Sequence, residues 1–324
     1  MKTKIRPYLK KTYFCRQHKI CMKKVLNLSV VLFLKALGRL PFSAIYILSD
    51  FLFVVIYQLI GYRRKVVYAN LHNSFPEKEE TEIKQIARNY YRHFCDLFLE
   101  SLKLGYMTEK QLDERIVLLP PDQTETYYKQ GKSFIALGMH YNNWEWSCSM
   151  QRKVSHQVVV VFNPLRNNPE MDDYLRNVRE RFGSQTIPMQ QAARKALQFN
   201  SAKRPGALVL AADQTPPQNA QFWTTFLNQE TPFFAGPVKI AIKTNQPVFF
   251  HHTRKLARGK YQVELIELIP EPAKVSEETI LLAYVDMMEK YIREAPEFWL
   301  WSHRRWKHKR PEHIPLIDRK KQTD

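Results

Sequence analysis

The chain has 324 residues, of which 44% are hydrophobic and 25% are charged, and its formal net charge is +19. This hydrophobic content suffices for one or two folded domains and excludes a disordered polyelectrolyte. With 9 Gly, 19 Pro and no internal repeat, the composition also excludes collagen-like, low-complexity and solenoid folds.

Positive charge is concentrated at the two ends of the sequence. Residues 1–65 contain 14 Lys and Arg residues and one acid, Asp50, so they carry +13 of the net charge. A second basic cluster lies within residues 304–310, while the middle of the chain is close to neutral. These clusters predict an anionic partner, which is a membrane surface, a nucleic acid or an acidic protein.

The basic N-terminal region surrounds the most apolar part of the chain. Residues 25–37 are mostly apolar, and residues 42–60 contain one charge and follow Pro41, a residue favoured at helix starts. A helix of about 20 apolar residues can cross a bilayer. Because basic residues flank both sides, the positive-inside rule gives no orientation. A single crossing and a helical pair lying in the cytoplasmic interface, at anionic headgroups, both remain open.

The N-terminus also bears on location and domain limits. No small-x-small cleavage site follows the apolar run, which argues against a removable signal, so we expect the main domain on the cytoplasmic side of the membrane. Met22 opens a plausible membrane-anchored start, and we hypothesise that residues 1–21 are a mis-assigned upstream extension. The expected organisation is a basic extension at 1–24, a membrane-associating helical segment at 25–65, the main domain at 66–315 and a polar tail at 316–324.

Four cysteines, at positions 15, 21, 95 and 148, are scattered along the chain. They show neither the paired spacing of a zinc site nor the density of a disulfide scaffold. This usage favours a reducing compartment and predicts small, buried or idle thiols.

The remainder of the chain alternates between helices and strands. Residues 77–104 carry apolar side chains at helical spacing after Pro76, which predicts an amphipathic helix that packs on the core. Short β-rich runs lie at residues 133–137, 158–162, 207–211, 248–253 and 261–268. Strands separated by helices predict an α/β fold with a mixed, mostly parallel central sheet flanked by helices. In such sheets the chemistry gathers beyond the carboxyl ends of the strands.

One predicted strand end carries the most informative residues, Gly138–Trp146 (GMHYNNWEW). Asn142 or Asn143 is a natural N-cap for a helix that would hold Glu145 in its first turn. Residues five apart diverge on a continuous helix, so His140 and Glu145 meet only if His140 lies in the loop. A carboxylate that binds one imidazole nitrogen leaves the other as a base. The spacing alone is a weak signal, and a structural histidine fits it as well.

Combined with other segments, HYNNWE resembles the His-x4-Glu/Asp motif of bacterial glycerolipid acyltransferases, and specifically the lipid A secondary (lauroyl/myristoyl) acyltransferases. The similarity continues in collinear blocks that cover roughly residues 25–311. The C-terminal block is the most specific of them. The blocks are NLHNSFPE (70–77), NPLRNNPEMDDYLRNVRERFG (163–183), AADQTP (211–216), TPFFAGPVKIA (231–241) and APEFWLWSHRRWKHKRP (295–311).

The resemblance implies transfer of a fatty acyl group from acyl carrier protein to a hydroxyl on a hydroxyacyl chain of a lipid A precursor. No covalent intermediate, cofactor or metal is implied. His140 would act as general base, and Glu145 would orient it and stabilise the imidazolium. Arg179 is the candidate cation for charge developing on the thioester oxygen. Asp213 would position an acceptor group or a basic side chain.

Further basic residues suit anionic groups of the acceptor or of the acidic carrier protein. Arg254, Arg304 and Arg305 offer a bidentate fork to phosphate or carboxylate, although a solvated basic face explains them equally well. Trp299, Trp301 and Trp306 are more typical of packing or of an interfacial belt. Where many relatives have Tyr-Arg-Pro this chain has Phe162-Asn163-Pro164, which puts a headgroup contact and the acceptor identity in doubt.

Other functions fit the sequence less well. A zinc hydrolase needs a third ligand beside His251 and His252, and no HExxH motif supports one. A nucleic-acid-binding protein would explain the charge, but the charge surrounds an apolar helix and no known binding fold is visible. A catalytically silent lipid-binding relative would share the fold, and His140 and Glu145 argue against it. Acylation of another membrane acceptor, such as an aminolipid, glycolipid or glycerophospholipid, remains the main alternative.

Overall fold

A computed structural model of the chain describes residues 5–319, with side chains from residue 22 onward. Ten α-helices lie in this part of the chain, and their bounds are α1 (Ile5–Arg39), α2 (Phe42–Phe53), α3 (Arg64–Ser74), α4 (Glu80–Leu104), α5 (Glu109–Asp113), α6 (Asp122–Lys129), α7 (Pro169–Glu180), α8 (Ala192–Phe199), α9 (Gly236–Thr244) and α10 (Glu277–Glu294). A π-helical stretch, Val54–Ile60, continues α2, and a 3₁₀ helix spans Trp146–Arg152.

Nine strands form two sheets in the described residues. Their bounds are β1 (Ile116–Leu119), β2 (Phe134–Gly138), β3 (Gln157–Phe162), β4 (Gln185–Pro188), β5 (Gly206–Ala211), β6 (Phe222–Phe226), β7 (Gln229–Phe233), β8 (Val248–Ala257) and β9 (Lys260–Ile269). The main sheet has seven strands in the order β1-β9-β8-β2-β5-β3-β4, and β6 and β7 form a separate antiparallel pair. Every neighbouring pair in the main sheet is parallel except β8 and β9. The predicted α/β class with a mixed, mostly parallel sheet is confirmed.

Burial explains why the sequence shows some strands and not others. All five residues of β2 are buried, as expected for a central strand covered on both faces. The five predicted strands are all present, within a few residues of their predicted ends. The short strands β1, β4, β6 and β7 were not predicted. In β1, for example, two buried residues alternate with two exposed ones, which is too short a pattern to identify.

The predicted amphipathic helix is α4, which begins at Glu80 rather than at residue 77. The side chain of Glu82 accepts a hydrogen bond from the backbone N–H of Glu79 at 3.1 Å, and this cap fixes the start. The apolar side of α4 is buried in both hydrophobic cores, one on each face of the main sheet. As predicted, the helix serves core packing.

The N-terminal helices pack against α4 while exposing apolar side chains. Ile45, Ser49 and Phe53 of α2 are buried in this contact. Among the described residues, Phe42–Ile60 is the one helical stretch that is long and apolar enough to cross a membrane, and 17% of its most apolar window is buried. Its polar groups face the domain, where Asp50 pairs with Arg258 at 2.7 Å.

The first predicted domain limit does not coincide with the end of a helix. Helix α1 runs without a break across the limit expected at residue 24. The predicted extension at 1–24 and the polar tail at 316–324 include residues 1–4 and 320–324, which lie outside the described residues. These limits, and the hypothesis about residues 1–21, therefore remain predictions. Cys95 and Cys148 are buried free thiols, as expected for these two.

Candidate active site

The site lies at the carboxyl ends of the neighbouring parallel strands β2 and β5. Gly138, the last residue of β2, is paired with Ala211, the last residue of β5. The loops that follow therefore leave the same edge of the sheet side by side. His140 and Asp213 occupy equivalent positions just beyond these two strand ends, and this register brings their side chains together.

Asp213 binds His140 through both carboxylate oxygens, one at the imidazole and one at the backbone. The distance from His140 Nδ1 to Asp213 Oδ1 is 2.7 Å, and the backbone N–H of His140 donates to Asp213 Oδ2 at 2.9 Å. The indole N–H of Trp299 also donates to Oδ2 at 2.9 Å. The carboxylate is 2% exposed, whereas 22% of the His140 side chain remains exposed. With Nδ1 directed at a carboxylate, the neutral ring presents the lone pair of Nε2 outward.

The C-terminal segment secures the loop that carries His140. The backbone N–H of Leu300 donates to the carbonyl oxygen of His140 at 3.1 Å, and that of Asn142 donates to the carbonyl oxygen of Phe298 at 3.0 Å. Asn142 has a φ of 52°, a left-handed conformation that Asn tolerates better than most residues. The loop is thus fixed by a segment that lies nearly half the chain length away in sequence.

The charges of the pair shift both pKa values. Burial lowers the pKa of His140, but the negative charge and hydrogen bond of Asp213 together raise it by more than burial lowers it. The pKa therefore lies above the ordinary histidine value. Burial raises the pKa of Asp213, while the charge of His140 and the hydrogen bonds from His140 and Trp299 lower it below its ordinary value. The pair therefore favours a charged carboxylate beside a relatively basic imidazole.

Glu145 does not make the predicted hydrogen bond to His140, and this expectation is corrected. Arg179 donates to both Glu145 oxygens, from Nε at 2.8 Å and from Nη2 at 2.6 Å. Burial raises the pKa of Glu145, but the charge and hydrogen bonds of Arg179 bring it below the ordinary value. Imidazole orientation falls to Asp213, because the strand register places its carboxylate directly against Nδ1. Asp213 thereby positions a basic side chain, one of its two predicted roles.

The segment between His140 and Trp146 also differs from the prediction. The Oδ1 atom of Asn143 accepts a hydrogen bond from the backbone N–H of Trp146 at 3.1 Å. The helix that begins at Trp146 is a 3₁₀ helix with Glu145 at its N-cap position, so Glu145 precedes the helix instead of lying in its first turn. Trp144 packs edge-on against the His140 ring, with centroids 5.0 Å apart.

A cavity of about 790 Å³ opens beside the imidazole. Its volume is within the range typical of ligand pockets, roughly 300–1,000 Å³. Both members of the Arg179–Glu145 pair line it together with His140. Most of its other lining side chains are apolar and come from β3, β5, α8 and α9. The arrangement offers a proton acceptor and a cation next to a space for hydrocarbon.

The other predicted arginines are not part of this cavity lining. Arg254 is exposed on β8, and Arg304 is exposed near the C-terminus, where its carbonyl oxygen accepts from Thr215 Oγ1 at 3.0 Å. Their predicted substrate contacts remain predictions. Arg305 cannot serve an external headgroup, because it is fully buried, stacks on Phe233 and donates to the Pro232 carbonyl at 2.5 Å.

The sequence did not predict a role in the site for Trp299 or Gln214. Trp299 was expected to contribute packing, and it is buried as expected but also binds Asp213. The amide nitrogen of Gln214 lies 3.3 Å from His140 Nε2. Gln214 follows Asp213 directly in the AADQTP block, so that block was the signal that could have identified it.

The comparisons with known proteins identify the family of the chain. Residues 16–308 match the sequence pattern of the family described as bacterial lipid A biosynthesis acyltransferase. The chain belongs to this family. It is 24% identical over 283 residues to the lipid A biosynthesis lauroyltransferase of Escherichia coli (strain K12), an alignment that covers 86% of this chain and 89% of that protein. The resemblance stated from the sequence is confirmed, and this lipid A acyltransferase family member is an enzyme that transfers acyl groups.

A solved structure gives a more distant likeness. The family member resembles PlsC, the 1-acyl-sn-glycerophosphate (LPA) acyltransferase from Thermotoga maritima, with a TM-score of 0.36 and 13% sequence identity. The match covers 86% of this chain and 99% of the PlsC chain. For the lipid A acyltransferase family member, the family and the Escherichia coli relative support a lipid acceptor.

Proposed function

We propose that this protein transfers a fatty acyl group from acyl carrier protein to a hydroxyl on a hydroxyacyl chain of a lipid A precursor, with His140 as general base. The observation that carries the proposal is the imidazole held by Asp213 at the mouth of a largely apolar cavity. Membership of the lipid A acyltransferase family supports the acceptor class. The donor and the direct mechanism are those that the sequence resemblance implies.

The proposed reaction is a direct transfer. Nε2 of His140 takes the proton of the acceptor hydroxyl as its oxygen attacks the thioester carbon. The tetrahedral intermediate then collapses, the C–S bond breaks, and the imidazolium returns the proton to the departing sulfur. The products are an ester and a free thiol, and no bond to the enzyme forms at any stage.

Asp213 makes His140 suited to this step. An unactivated alcohol is a poor nucleophile, so its proton must move to a base as the new bond forms. The carboxylate fixes the ring so that Nε2 carries the lone pair, and it stabilises the imidazolium that forms. A pKa raised above the ordinary histidine value makes the imidazole a stronger base.

Arg179 is the proposed stabiliser of negative charge on the thioester oxygen. It lines the cavity with His140, and its two hydrogen bonds to Glu145 hold the guanidinium in one orientation. A fixed cation next to a low-dielectric cavity stabilises an oxyanion more than the same cation would in water. Glu145 thus acts as a positioning residue for Arg179.

Exposed cations near the cavity suit the donor protein. Lys239 and Lys243 line the cavity and are exposed, and the exposed Arg304 is joined through its backbone to Thr215, another lining residue. Complementary charge speeds the encounter with an acidic carrier protein. We expect these three residues to lie at the carrier-protein contact.

We further propose that Phe42–Ile60 lies in the membrane interface without crossing the bilayer. Its apolar side is exposed, with Ile47 at 72% and Leu59 at 75%. The opposite side contacts the domain through polar bonds near its middle, from Tyr46 to Glu100 at 2.9 Å and from Ser49 to Asp96 at 2.7 Å. A crossing helix would carry these buried carboxylates into hydrocarbon, which is costly.

The region around this helix matches the surface of an anionic membrane. Apolar residues of α1, including Leu26, Leu32 and Phe33, are also strongly exposed. The basic residues 23, 24, 35, 39 and 63–65 lie in or beside the same helical region. Apolar insertion combined with charge attraction is the usual basis of interfacial binding, so we propose that the domain rests on the cytoplasmic face of the inner membrane.

The experiment that tests this function compares acceptors directly. Purified protein in vesicles is incubated with a labelled acyl group on either acyl carrier protein or coenzyme A. The acceptor is a lipid A precursor, an aminolipid, a glycolipid or a glycerophospholipid. We expect an ester-linked acyl group on the lipid A precursor, identified by mass spectrometry. Transfer only to one of the other lipids would refute the acceptor, and transfer only from coenzyme A thioesters would refute the donor.

A further inference from the structure

We propose that the cavity has two arms, one on each face of the main sheet, and that the two reacting acyl chains occupy separate arms. One arm holds the donor chain, and the other holds the hydroxyacyl chain of the acceptor. The inference rests on the proposed function, which it makes more specific.

The cavity lining contains residues from both faces of the sheet. Successive side chains of a strand point to opposite faces, yet Val160 and Val161 of β3 both line the cavity, as do Val209 and Leu210 of β5. Val160 and Val209 pack with one hydrophobic core, whereas Val161 and Leu210 belong with the other. The cavity therefore extends around the carboxyl edge of these strands onto both faces, with His140 at the edge.

The arm on the Val160 face is closed, and we call it the closed arm. Cys148, Met150, Val158 and His251 line it and are 5%, 3%, 1% and 5% exposed. Buried Nε2 of His251 has no hydrogen-bond partner among the described residues, so its ring leaves a polar atom available at this arm. Burial lowers the pKa of His251 to about 4, so the ring is neutral and brings no charge into this arm.

The arm on the Val161 face is open, and we call it the open arm. Its outer wall comes from α8 and α9, where Ala193 and Leu197 line the cavity but are exposed. The exposed Lys239 and Lys243 of α9 line the cavity as well. A ligand in this arm can thus continue out of the protein beside positive charge.

The chemistry of the two substrates assigns the arms. The donor chain is attached at its thioester carbon alone and ends in a methyl group, so a blind apolar arm can enclose it completely. The acceptor chain carries its hydroxyl partway along and remains attached to a large, anionic lipid with further chains. Only an open arm admits such a molecule. Both chains must meet at the imidazole, which lies where the arms join.

The test adds bulk to each arm separately. Val160→Phe narrows the closed arm, and Leu197→Phe is the matched control in the open arm. With a series of acyl carrier protein thioesters, we expect Val160→Phe to shift the preference towards shorter donor chains by at least about tenfold, given that one methylene changes discrimination roughly 10- to 200-fold. Its KM for the acceptor should change little. Leu197→Phe should raise the acceptor KM and leave the donor preference intact.

A second variant in the closed arm distinguishes an altered cavity from misfolding of Val160→Phe. Val209 is paired with Val160 in register on the same face, so Val209→Ala should lengthen the preferred donor chain instead. Intact transfer with unchanged donor preference in both closed-arm variants, or a donor shift in Leu197→Phe, would overturn the two-arm assignment. Absence of transfer to the lipid A precursor by the unmutated protein would overturn the proposed function instead, so the two failures are distinguishable.

Discussion

His140 and Asp213 lie 73 residues apart in sequence, yet Nδ1 and Oδ1 are 2.7 Å apart. Parallel pairing of β2 with β5 accounts for this contact, because the two residues follow strand ends that are in register. The same carboxylate also accepts from the backbone of His140 and from Trp299. A carboxylate with three donors is held rigidly, and so is the ring that it orients.

Asp213→Asn should reduce acyl transfer strongly while preserving the fold. The amide has the same shape but lacks the charge that orients the ring and stabilises the imidazolium. We expect kcat to fall by about 100-fold or more, in line with the usual contribution of general-base catalysis. Trp299→Phe is the matched control, since it removes one hydrogen bond to the same carboxylate. It should lower kcat roughly tenfold, as expected for loss of a hydrogen bond to a charged group. Equal activity of Asp213→Asn and unmutated protein would remove the carboxylate from the mechanism.

The pH dependence of transfer should report the raised pKa of His140. A general base acts in its neutral form, so kcat/KM should rise with pH through this pKa and level off above it. Burial lowers this pKa, but the charge of Asp213 raises it by a larger amount. The rising acidic limb of the kcat/KM profile should therefore lie above the ordinary histidine pKa. In Asp213→Asn the raising cause is absent, and the limb should move to lower pH. A limb at the same pH in both proteins would contradict the assignment.

Glu145 and Arg179 should behave as one coupled pair. Each single alanine variant leaves the other charge without its partner in a site where both side chains are less than one-fifth exposed. In a double-mutant cycle of urea unfolding, the double variant should be less destabilised than the sum of the singles, by about 0.5–3 kcal/mol. Additive losses would show that the bidentate contact contributes nothing to stability.

The same variants separate the positioning role of Glu145 from the role of Asp213. Glu145→Ala should lower kcat less than Asp213→Asn does. It should also move the acidic limb of kcat/KM to lower pH by less than Asp213→Asn does, because the charge of Glu145 raises the pKa of His140 less than that of Asp213. Should Glu145→Ala instead shift the limb as far as Asp213→Asn, the original expectation of a His140–Glu145 pair would be restored.

Membrane binding should depend on the exposed face of Phe42–Ile60. Leu59→Glu places a charge on this surface and should reduce sedimentation with anionic vesicles severalfold, since it weakens both apolar insertion and attraction to negative lipids. Leu119→Glu is the matched control, because Leu119 is also exposed but lies on β1, outside this helical surface. Equal losses in the two variants would show that binding is not localised to the helix.

Topology mapping distinguishes the interfacial placement from a crossing. If Phe42–Ile60 lies in the interface, single cysteines introduced near residue 40 and near residue 62 should react with a membrane-impermeant thiol reagent from the same side of sealed inverted membranes. Labelling from opposite sides would establish a span and refute the interfacial placement.

The sequence predicts elements with continuous apolar patterns and misses features that depend on distant pairing. The buried runs of β2, β3 and β5 and the periodicity of α4 were all recognisable. The partner of His140 was not, because Glu145 was the nearest carboxylate in sequence and the register of β2 with β5 is a property of the whole sheet. Arg305 was likewise misread, since its basic neighbours suggested an exposed cluster and its burial follows from packing against Phe233.

The central claim is tested most directly by His140→Gln, which keeps a polar side chain at the sheet edge without a titratable base. Transfer from acyl carrier protein thioester to the lipid A precursor is followed by mass spectrometry under single-turnover conditions, with circular dichroism confirming the fold. The account predicts that the rate falls by about 100-fold or more, because no other group replaces the base. A correctly folded His140→Gln protein that acylates the precursor at the unmutated rate would contradict it.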